Sequence, residues 1–341
     1  MRETFALAKK AKSLTYPNPL VGALLIKDSE IIGEGYHKKY GSAHAEVEAI
    51  NDCIHKGNSP KESTLYVSLE PCSHYGKTPP CTDLIIKSGI KKVVFAMTDP
   101  NPKVNGFETL KKAGVEVIRG ILEEEAENLN KAFLKFQKTG LPFITLKIAS
   151  SIDFKIWSPE VTNITGAESQ KFVHGLRSRS TSVLTGIGTI KKDNPYLTTR
   201  LVKGKNPTPI ILDSKLEISP TSNVLRQKNA IICTTVEHSS KKTQLEKLGA
   251  RILTFKTLSN LKPILKKLAS IGHINILVEG GPKITDSFIK QNMTDRILLL
   301  ISNIKLGESG LAATFQNSIP NMEIINTRKL GKDIMLELHQ A

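Results

Sequence analysis

Glu70-Pro71-Cys72-Ser73-His74-Tyr75-Gly76-Lys77-Thr78-Pro79-Pro80-Cys81, read with His44-Ala45-Glu46 upstream, decides the fold and chemistry of the first part of the chain. A catalytic zinc ion takes three protein ligands and keeps a fourth position open, and one imidazole with two thiolates makes a tetrahedral set of suitable softness. His44, Cys72 and Cys81 form such a set. A bound metal brings the pKa of its water from about 15.7 toward roughly 7. Glu46, two residues past the histidine, can take that proton without ligating the metal and pass it to a departing amine. This is chemistry for removing an amine from a ring carbon. A lone His or Cys is more often an ordinary core residue, so the weight rests on the whole set and its surroundings. Residues 43–50 have helical apolar spacing, and residues 63–69 read as a buried strand running into Glu70-Pro71-Cys72. Cys81 directly precedes a helix start at Thr82-Asp83 that Gly89 closes.

The 341 residues suffice for two domains with separate cores. No stretch approaches the roughly eighteen apolar residues of a membrane span. Residues 1–4 open into an amphipathic helix (Phe5, Leu7, Ala8, Ala11, Leu14) instead of a secretion signal, so the cytoplasm is the expected location. Four cysteines are too few for a disulfide scaffold, and Cys53 and Cys233 read as inert core thiols. The net charge of +16 is uneven: residues 1–140 carry 20 Lys and Arg against 17 Asp and Glu, a net +3, and residues 141–341 carry 28 against 15, a net +13. A domain that held a polynucleotide at its zinc would carry the basic footprint itself. The sequence therefore argues for a small substrate and against nucleic acid, with the basic half suited to phosphorylated ligands or simply a solvated lysine surface.

Helical and strand patterns alternate throughout, which marks an α/β protein. In the first half the expected order is a helix near 2–14, strands near 20–27 and 30–36, the His44 helix, the strand into Cys72 and the helix after Cys81. A strand at 92–97, a helix near 106–113, a strand at 115–118 and an acidic helix near 121–138 follow. Gly140-Leu141-Pro142 is the expected boundary, dividing 1–140 from 141–341.

Pro17-Asn18-Pro19-Leu20-Val21-Gly22-Ala23, Gly33-Glu34-Gly35-Tyr36-His37, His44-Ala45-Glu46, the Glu70 to Cys81 run and Asp99-Pro100-Asn101-Pro102 together resemble the bifunctional riboflavin-biosynthesis deaminase/reductase family over nearly the whole chain. General cytidine and tRNA adenosine deaminases carry a short Cys-x-x-Cys instead. The resemblance implies a cytidine-deaminase-like three-layer domain followed by a dihydrofolate-reductase-like domain. It implies zinc-dependent deamination of 2,5-diamino-6-(5-phosphoribosylamino)pyrimidin-4-one and then NADPH-dependent reduction of the ribosyl chain to ribityl, in a homo-oligomer. Asn18, His37, His74, Lys77, Asp99 and Asn101 would contact the first substrate. Ala43 stands where the family often has proline, a change in loop stiffness more than in ligation.

In the second half, residues 143–150 read as a first buried strand, and residues 182–189 as a strand running into a Gly186-Ile187-Gly188 turn. Ile276-Leu277-Val278-Glu279-Gly280-Gly281-Pro282 followed by a helix over 282–290 is an arrangement that lets phosphate approach free amides at a helix N-terminus. By resemblance, Arg177 and Arg200 would hold the substrate phosphate beside Leu197 and Glu279, while Ala149, Thr189, Asp193, Ser214 and Gly281 would line the NADPH site. Ser151-Ile152-Asp153-Phe154-Lys155 departs from the family's Ser-Leu-Asp-Gly-Lys, the loop after it is shorter, and Val161 and Asn163 replace a serine and a tryptophan. Either the loop repacks, with Trp157 taking an aromatic role, or reduction is weakened. Three other readings stand beside the bifunctional enzyme: a deaminase with a degenerate partner domain, a polynucleotide-editing deaminase, and a binding module with structural zinc.

Overall fold

The computed structural model describes residues 1–75, 79–161, 163–308, 310–312 and 322–340, and the chain separates into two compact units, Met1–Gly140 and Leu141–Ala341. Lys77 lies outside the described residues.

The first unit runs α1 (Arg2–Lys9), β1 (Gly22–Lys27), β2 (Glu30–Tyr36), α2 (Ala45–His55), β3 (Thr64–Leu69), α3 (Cys81–Lys87), β4 (Lys92–Met97), α4 (Gly106–Lys112), β5 (Glu116–Ile118) and α5 (Glu123–Thr139). Its sheet has the order β2-β1-β3-β4-β5, with β1 antiparallel to both neighbours and β3, β4 and β5 parallel. Glycines set how closely helices cover it. A Cβ at Gly22 would meet the Thr4 carbonyl at 2.1 Å, so α1 lies against that face. Cβ atoms at Gly33 and Gly35 would each meet Ala49 backbone at 2.4 Å. Gly35 opposes Ala23, one residue out of phase with Gly22, so α2 lies on the other face. The result is a three-layer unit of helix, sheet and helix, the arrangement that the resemblance implies. α1 ends at Lys9, short of the expected residue 14, and Lys12 takes a left-handed φ of 52° in the turn that follows.

The second unit runs β6 (Phe143–Ser150), β7 (Lys155–Trp157), α6 (Ala167–Arg179), β8 (Ser182–Gly186), α7 (Ile187–Asp193), β9 (Thr208–Leu212), β10 (Ile231–Thr234), α8 (Ser240–Lys247), β11 (Arg251–Thr254), α9 (Leu261–Ser270), β12 (Asn275–Glu279), α10 (Pro282–Lys290), β13 (Arg296–Ile301), β14 (Leu311–Ala312), β15 (Met322–Leu330) and β16 (Asp333–Gln340). Nine strands form one sheet in the order β11-β10-β9-β8-β12-β6-β13-β16-β15. It is parallel up to β13, and β16 is antiparallel to both of its neighbours. Alternate strand residues feed two cores. Ile276 and Val278 pack with Leu265 and Phe288 of α9 and α10, while Leu277 packs with Val173 and Leu245 of α6 and α8. The chain leaves β8 toward one face and β12 toward the other, which opens a crevice between these neighbouring strands at their C-terminal ends. Gly186 ends β8 in extended conformation and α7 starts at Ile187. Gly188 therefore sits in the first turn of a helix and not in the loop that the glycine pair suggests.

Candidate active sites

His44 is the extended residue that starts α2, Cys81 is the first residue of α3, and Cys72 lies in the loop after β3. Three separate chain segments thus end at one point. His44 Nδ1 is 3.3 Å from Cys81 Sγ and 3.5 Å from Cys72 Sγ, and the three ligand atoms lie within 4.8 Å of one another. Tetrahedral zinc, with N at about 2.05 Å and S at about 2.3 Å, requires an N···S separation of about 3.6 Å. The donors fit the ion, and among the described residues no fourth His, Cys, Asp or Glu joins them.

The thiols are already biased toward ligation. Cys72 is drawn down to about 4 by the hydrogen bond from the Cys81 thiol, helped by His44 and by the Cys81 backbone N–H, which donates to its sulfur at 3.3 Å. Cys81 moves up for the complementary reason, hydrogen bonding to Cys72 and deep burial. Glu46, 4% exposed on the first turn of α2, is pushed up by burial against the opposing pull of His44. A carboxyl group so placed holds a proton more readily than one in water.

These groups open into a cavity of about 300 Å³. Asn18, His37, His74, Asp99 and Asn101, all expected from the sequence, line it together with His44, Glu46 and Cys72. Among the described residues the buried Nδ1 of His74 has no hydrogen-bond partner, which suits it to a ligand. Asp99 accepts the Asn101 backbone N–H at 2.8 Å, and burial raises its pKa. His37 differs from the expectation of a substrate contact, because both ring nitrogens are spent. Its Nδ1 lies 3.0 Å from the Ala43 carbonyl, which only an N–H can satisfy, so Nε2 accepts from Asn18 Nδ2 at 3.2 Å. Burial lowers its pKa and keeps it neutral. Its ring holds the Asn18 amide with Oδ1 left over.

Glu70 was not singled out from sequence, yet it organises one wall. It is buried, its Oε2 accepts from Asp99 N at 3.2 Å, and its Oε1 accepts from Phe107 N at 2.9 Å, which caps α4. A Cβ at Gly106 would meet the Pro71 carbonyl at 2.1 Å, so the Asp99 loop is stapled onto the Cys72 loop. The Glu-Pro-Cys order was the available signal.

In the second unit a charged cluster sits at the C-terminal end of β12. Arg177 of α6 donates through Nε to Glu279 Oε1 at 2.7 Å and through Nη2 to Oε2 at 2.9 Å, with side chains 12% and 11% exposed. Its Nη1 donates to the Thr198 carbonyl at 3.1 Å. The guanidinium expected to clamp phosphate is therefore committed mainly to Glu279. Lys147 faces Glu279 in the β6/β12 register, and burial pushes its pKa down while Glu279 opposes that. Sequence reading passed over this lysine. Burial and the charges of Arg177 and Arg200 hold His174 at about 4, and its Nδ1 accepts from Leu201 N at 3.2 Å. Leu197 packs in a core and lines no described cavity, whereas Arg200 is exposed.

Gly188 and Gly281 have open space where a Cβ would be, and Gly281 is the N-cap of α10 with Pro282 at its first turn. Cβ atoms at Gly186 and Gly280 would meet Ile284 at 2.9 and 2.7 Å, so both turns pack on the same helix. Bare backbone at a helix N-terminus beside the switch crevice fits a dinucleotide's pyrophosphate. Thr189 and Asp193 lie on α7, Ala149 near the end of β6, and Ser214 just past β9, all along that same sheet edge. Phe154, Asn194, Leu197 and Leu216 have φ of 55°, 39°, 53° and 54°, in loops along this edge. Such strain collects at ligand sites. The Phe154 loop is ordered: Asp153 accepts from Ser151 Oγ at 2.6 Å, Leu306 N at 3.0 Å and Gly307 N at 2.8 Å, which together lower its pKa to about 2. Lys192 Nζ lies 3.1 Å from the Trp157 ring centroid.

Residues 1–97 match the cytidine and deoxycytidylate deaminase zinc-binding region, and residues 142–336 match the RibD C-terminal domain. The riboflavin biosynthesis protein RibD of Aquifex aeolicus (strain VF5) is 43% identical, with 98% of this chain and 96% of that protein covered. The chain belongs to the bifunctional RibD family. It is a riboflavin-biosynthesis enzyme with deaminase and reductase activities that uses zinc and NADPH. RibD of Bacillus amyloliquefaciens is 40% identical over 98% of this chain and 94% of its own length. A crystal structure of a diaminohydroxyphosphoribosylaminopyrimidine deaminase/5-amino-6-(5-phosphoribosylamino)uracil reductase from Thermotoga maritima superposes with a TM-score of 0.91 at 36% identity, covering 100% of this chain and 97% of that one. Acinetobacter baumannii RibD gives 0.89 at 32%, with the same shares covered. Among the described residues no helix is long and apolar enough to cross a membrane.

Proposed function

We propose that the unit Met1–Gly140 is the deaminase and Leu141–Ala341 the reductase, acting in turn on the phosphoribosylated pyrimidines that the Thermotoga protein's name specifies. The observation that carries the first assignment is the three-donor cluster of His44, Cys72 and Cys81, two of whose members, His44 and Cys72, line a cavity of about 300 Å³. A closed four-ligand site would be structural, whereas three donors beside a cavity leave room for chemistry. Zinc bound there supplies the Lewis acidity that makes water nucleophilic near neutral pH. Glu46 takes the water's proton and delivers it to the leaving amine, so oxygen replaces nitrogen on the ring carbon and ammonia departs. Asn18, His74, Asp99 and Asn101 orient the ring, His37 and Glu70 hold Asn18 and Asp99, and Lys77 is a further phosphate ligand on sequence grounds.

NADPH supplies the hydride in the second unit. Lys147, with its lowered pKa, is suited to give the proton that accompanies hydride delivery to the sugar carbon. Arg177 fixes Glu279 beside it, and Arg200 remains free of that pair to meet phosphate. Ala149, Thr189, Asp193, Ser214 and Gly281 flank the cofactor. Four free thiols among four cysteines support a reducing, cytoplasmic setting. The exposed Ile324 and Ile325 on edge strand β15 support a homo-oligomer. A coupled assay tests both halves: ammonia release from the diaminopyrimidine ribotide, followed by NADPH oxidation, is the expected result. Ammonia without NADPH oxidation would remove the reductase assignment.

A further inference from the structure

One side of the deaminase cavity is formed by Phe133 and Gln137 of α5, a helix outside the stretch 1–97 that matches the general deaminase zinc region. The shared metal chemistry therefore does not account for it. α5 departs from helical geometry at Asn130, where φ is −109° and ψ is 15°. This asparagine is 3% exposed and grips the backbone of Leu20 at both ends, accepting from its N–H at 2.8 Å and donating to its carbonyl at 3.0 Å. Leu20 follows Asn18 and Pro19, which both line the cavity. His37 holds the Asn18 amide independently, so residues 18–20 are fixed at two points.

Positions 133 and 137 are four apart and share one face of the helix that resumes just past Asn130. The grip on Leu20 thus also aims Phe133 and Gln137 into the cavity. Phe133 is 5% exposed and forms wall. Gln137 is exposed at the rim, and its side chain makes no hydrogen bond among the described residues. Its amide keeps a donor and an acceptor unspent. The ring carbon that loses its amine must sit at Glu46 and the metal ligands, which are the buried end, so the substituent on the ring points to the rim.

We propose that α5, registered by Asn130, is the element that selects phosphoribosylated pyrimidines, with Gln137 as a contact for the ribosyl phosphate and Asn130 as a positioning residue. The inference rests on the deaminase reading above. Its test is steady-state ammonia release from the ribotide and from its dephosphorylated riboside. Gln137→Ala raises KM for the ribotide about tenfold, the loss of one hydrogen bond to a charged group, with kcat within about twofold. For the riboside its KM stays within about twofold of wild type. Asn130→Ala raises KM for both, because it loosens the Asn18 segment as well, and Asn130→Gln, which keeps both the donor and the acceptor, recovers part of the loss. Equal effects of Gln137→Ala on both substrates, or none on either, overturn the contact. An Asn130→Ala protein that melts earlier with unchanged KM overturns the positioning role. Wild-type protein that releases no ammonia from the ribotide removes the deaminase reading and the inference with it, whereas wild-type turnover with an indifferent Gln137→Ala removes the inference alone.

Discussion

Arg177→Met should destabilise the reductase unit severely, and the size of the effect follows from the pair it breaks. The two charge-assisted hydrogen bonds to Glu279, at 2.7 and 2.9 Å, join side chains only 12% and 11% exposed. Removing one partner of a buried pair costs about 3–5 kcal/mol, because the other charge is left without compensation. For a unit of this size each kcal/mol moves the melting temperature by about 2–4 °C, so a fall of roughly 6–20 °C is expected. Trp157 is the single tryptophan and belongs to this unit, so its fluorescence reports the transition directly. The pH dependence has a definite sign. Burial pushes Glu279 up, but Arg177, Lys147 and His174 together outweigh it and the folded pKa lies below the ordinary carboxylate value. The pair's contribution is therefore complete above the unfolded value of about 4.3 and is lost as pH falls through the folded pKa. In the variant Glu279 has lost its arginine and protonates more readily, so the gap between the two proteins narrows from pH 7 toward pH 4. Arg177→Lys restores charge but not the fork and should recover only part of the stability. Ammonia release should be unchanged. A variant that melts within 2 °C of wild type on the scale above, or a gap that stays constant between pH 4 and 7, would refute the claim that this pair is buried and ionised.

Glu46→Gln keeps the size of the side chain and removes its proton chemistry. Ammonia release should fall about 10²–10⁴-fold while zinc content and NADPH oxidation with the deaminated intermediate persist; loss of zinc instead would make Glu46 a structural residue. Stripping the metal with a chelator should stop ammonia release and leave the reductase step intact, with activity returning on zinc addition. Phe154→Gly removes a left-handed aromatic that costs about 1–2 kcal/mol and adds about 0.5–1 kcal/mol of unfolded-state entropy. The melting temperature should therefore hold or rise slightly, whereas Phe154→Ala, which keeps the φ of 55°, should not rise.

The parts of the molecule that could be read from sequence are those whose information is local. His44, Cys72 and Cys81 each stand at the edge of a patterned helix or strand, so the elements and the ligand set were legible together. The unread parts are buried polar groups whose partners are chosen by register. Asn130 meets Leu20 across 110 residues, Glu70 meets Asp99 across 29, and Lys147 meets Glu279 only because β6 and β12 lie side by side. The local pattern around Asn130 and Lys147 does not signal the contact, and the Glu-Pro-Cys order marks Glu70 without naming its partner. Arg177 and His37 show a subtler limit. Their residue types suit a phosphate or a substrate, and the cavity or cluster in which they sit is the right one. What residue type does not carry is whether the valences are still free. A guanidinium forks equally well onto phosphate and onto Glu279, and an imidazole serves equally well as a ligand contact and as the brace between Ala43 and Asn18. Only the hydrogen-bond count decides. By that count, among the described residues the buried Nδ1 of His74, the Oδ1 of Asn18, the Nδ2 of Asn101, the Oδ2 of Asp99 and the side-chain amide of Gln137 are left unspent. These lie around one cavity, and the proposed recognition of the pyrimidine ribotide draws on them.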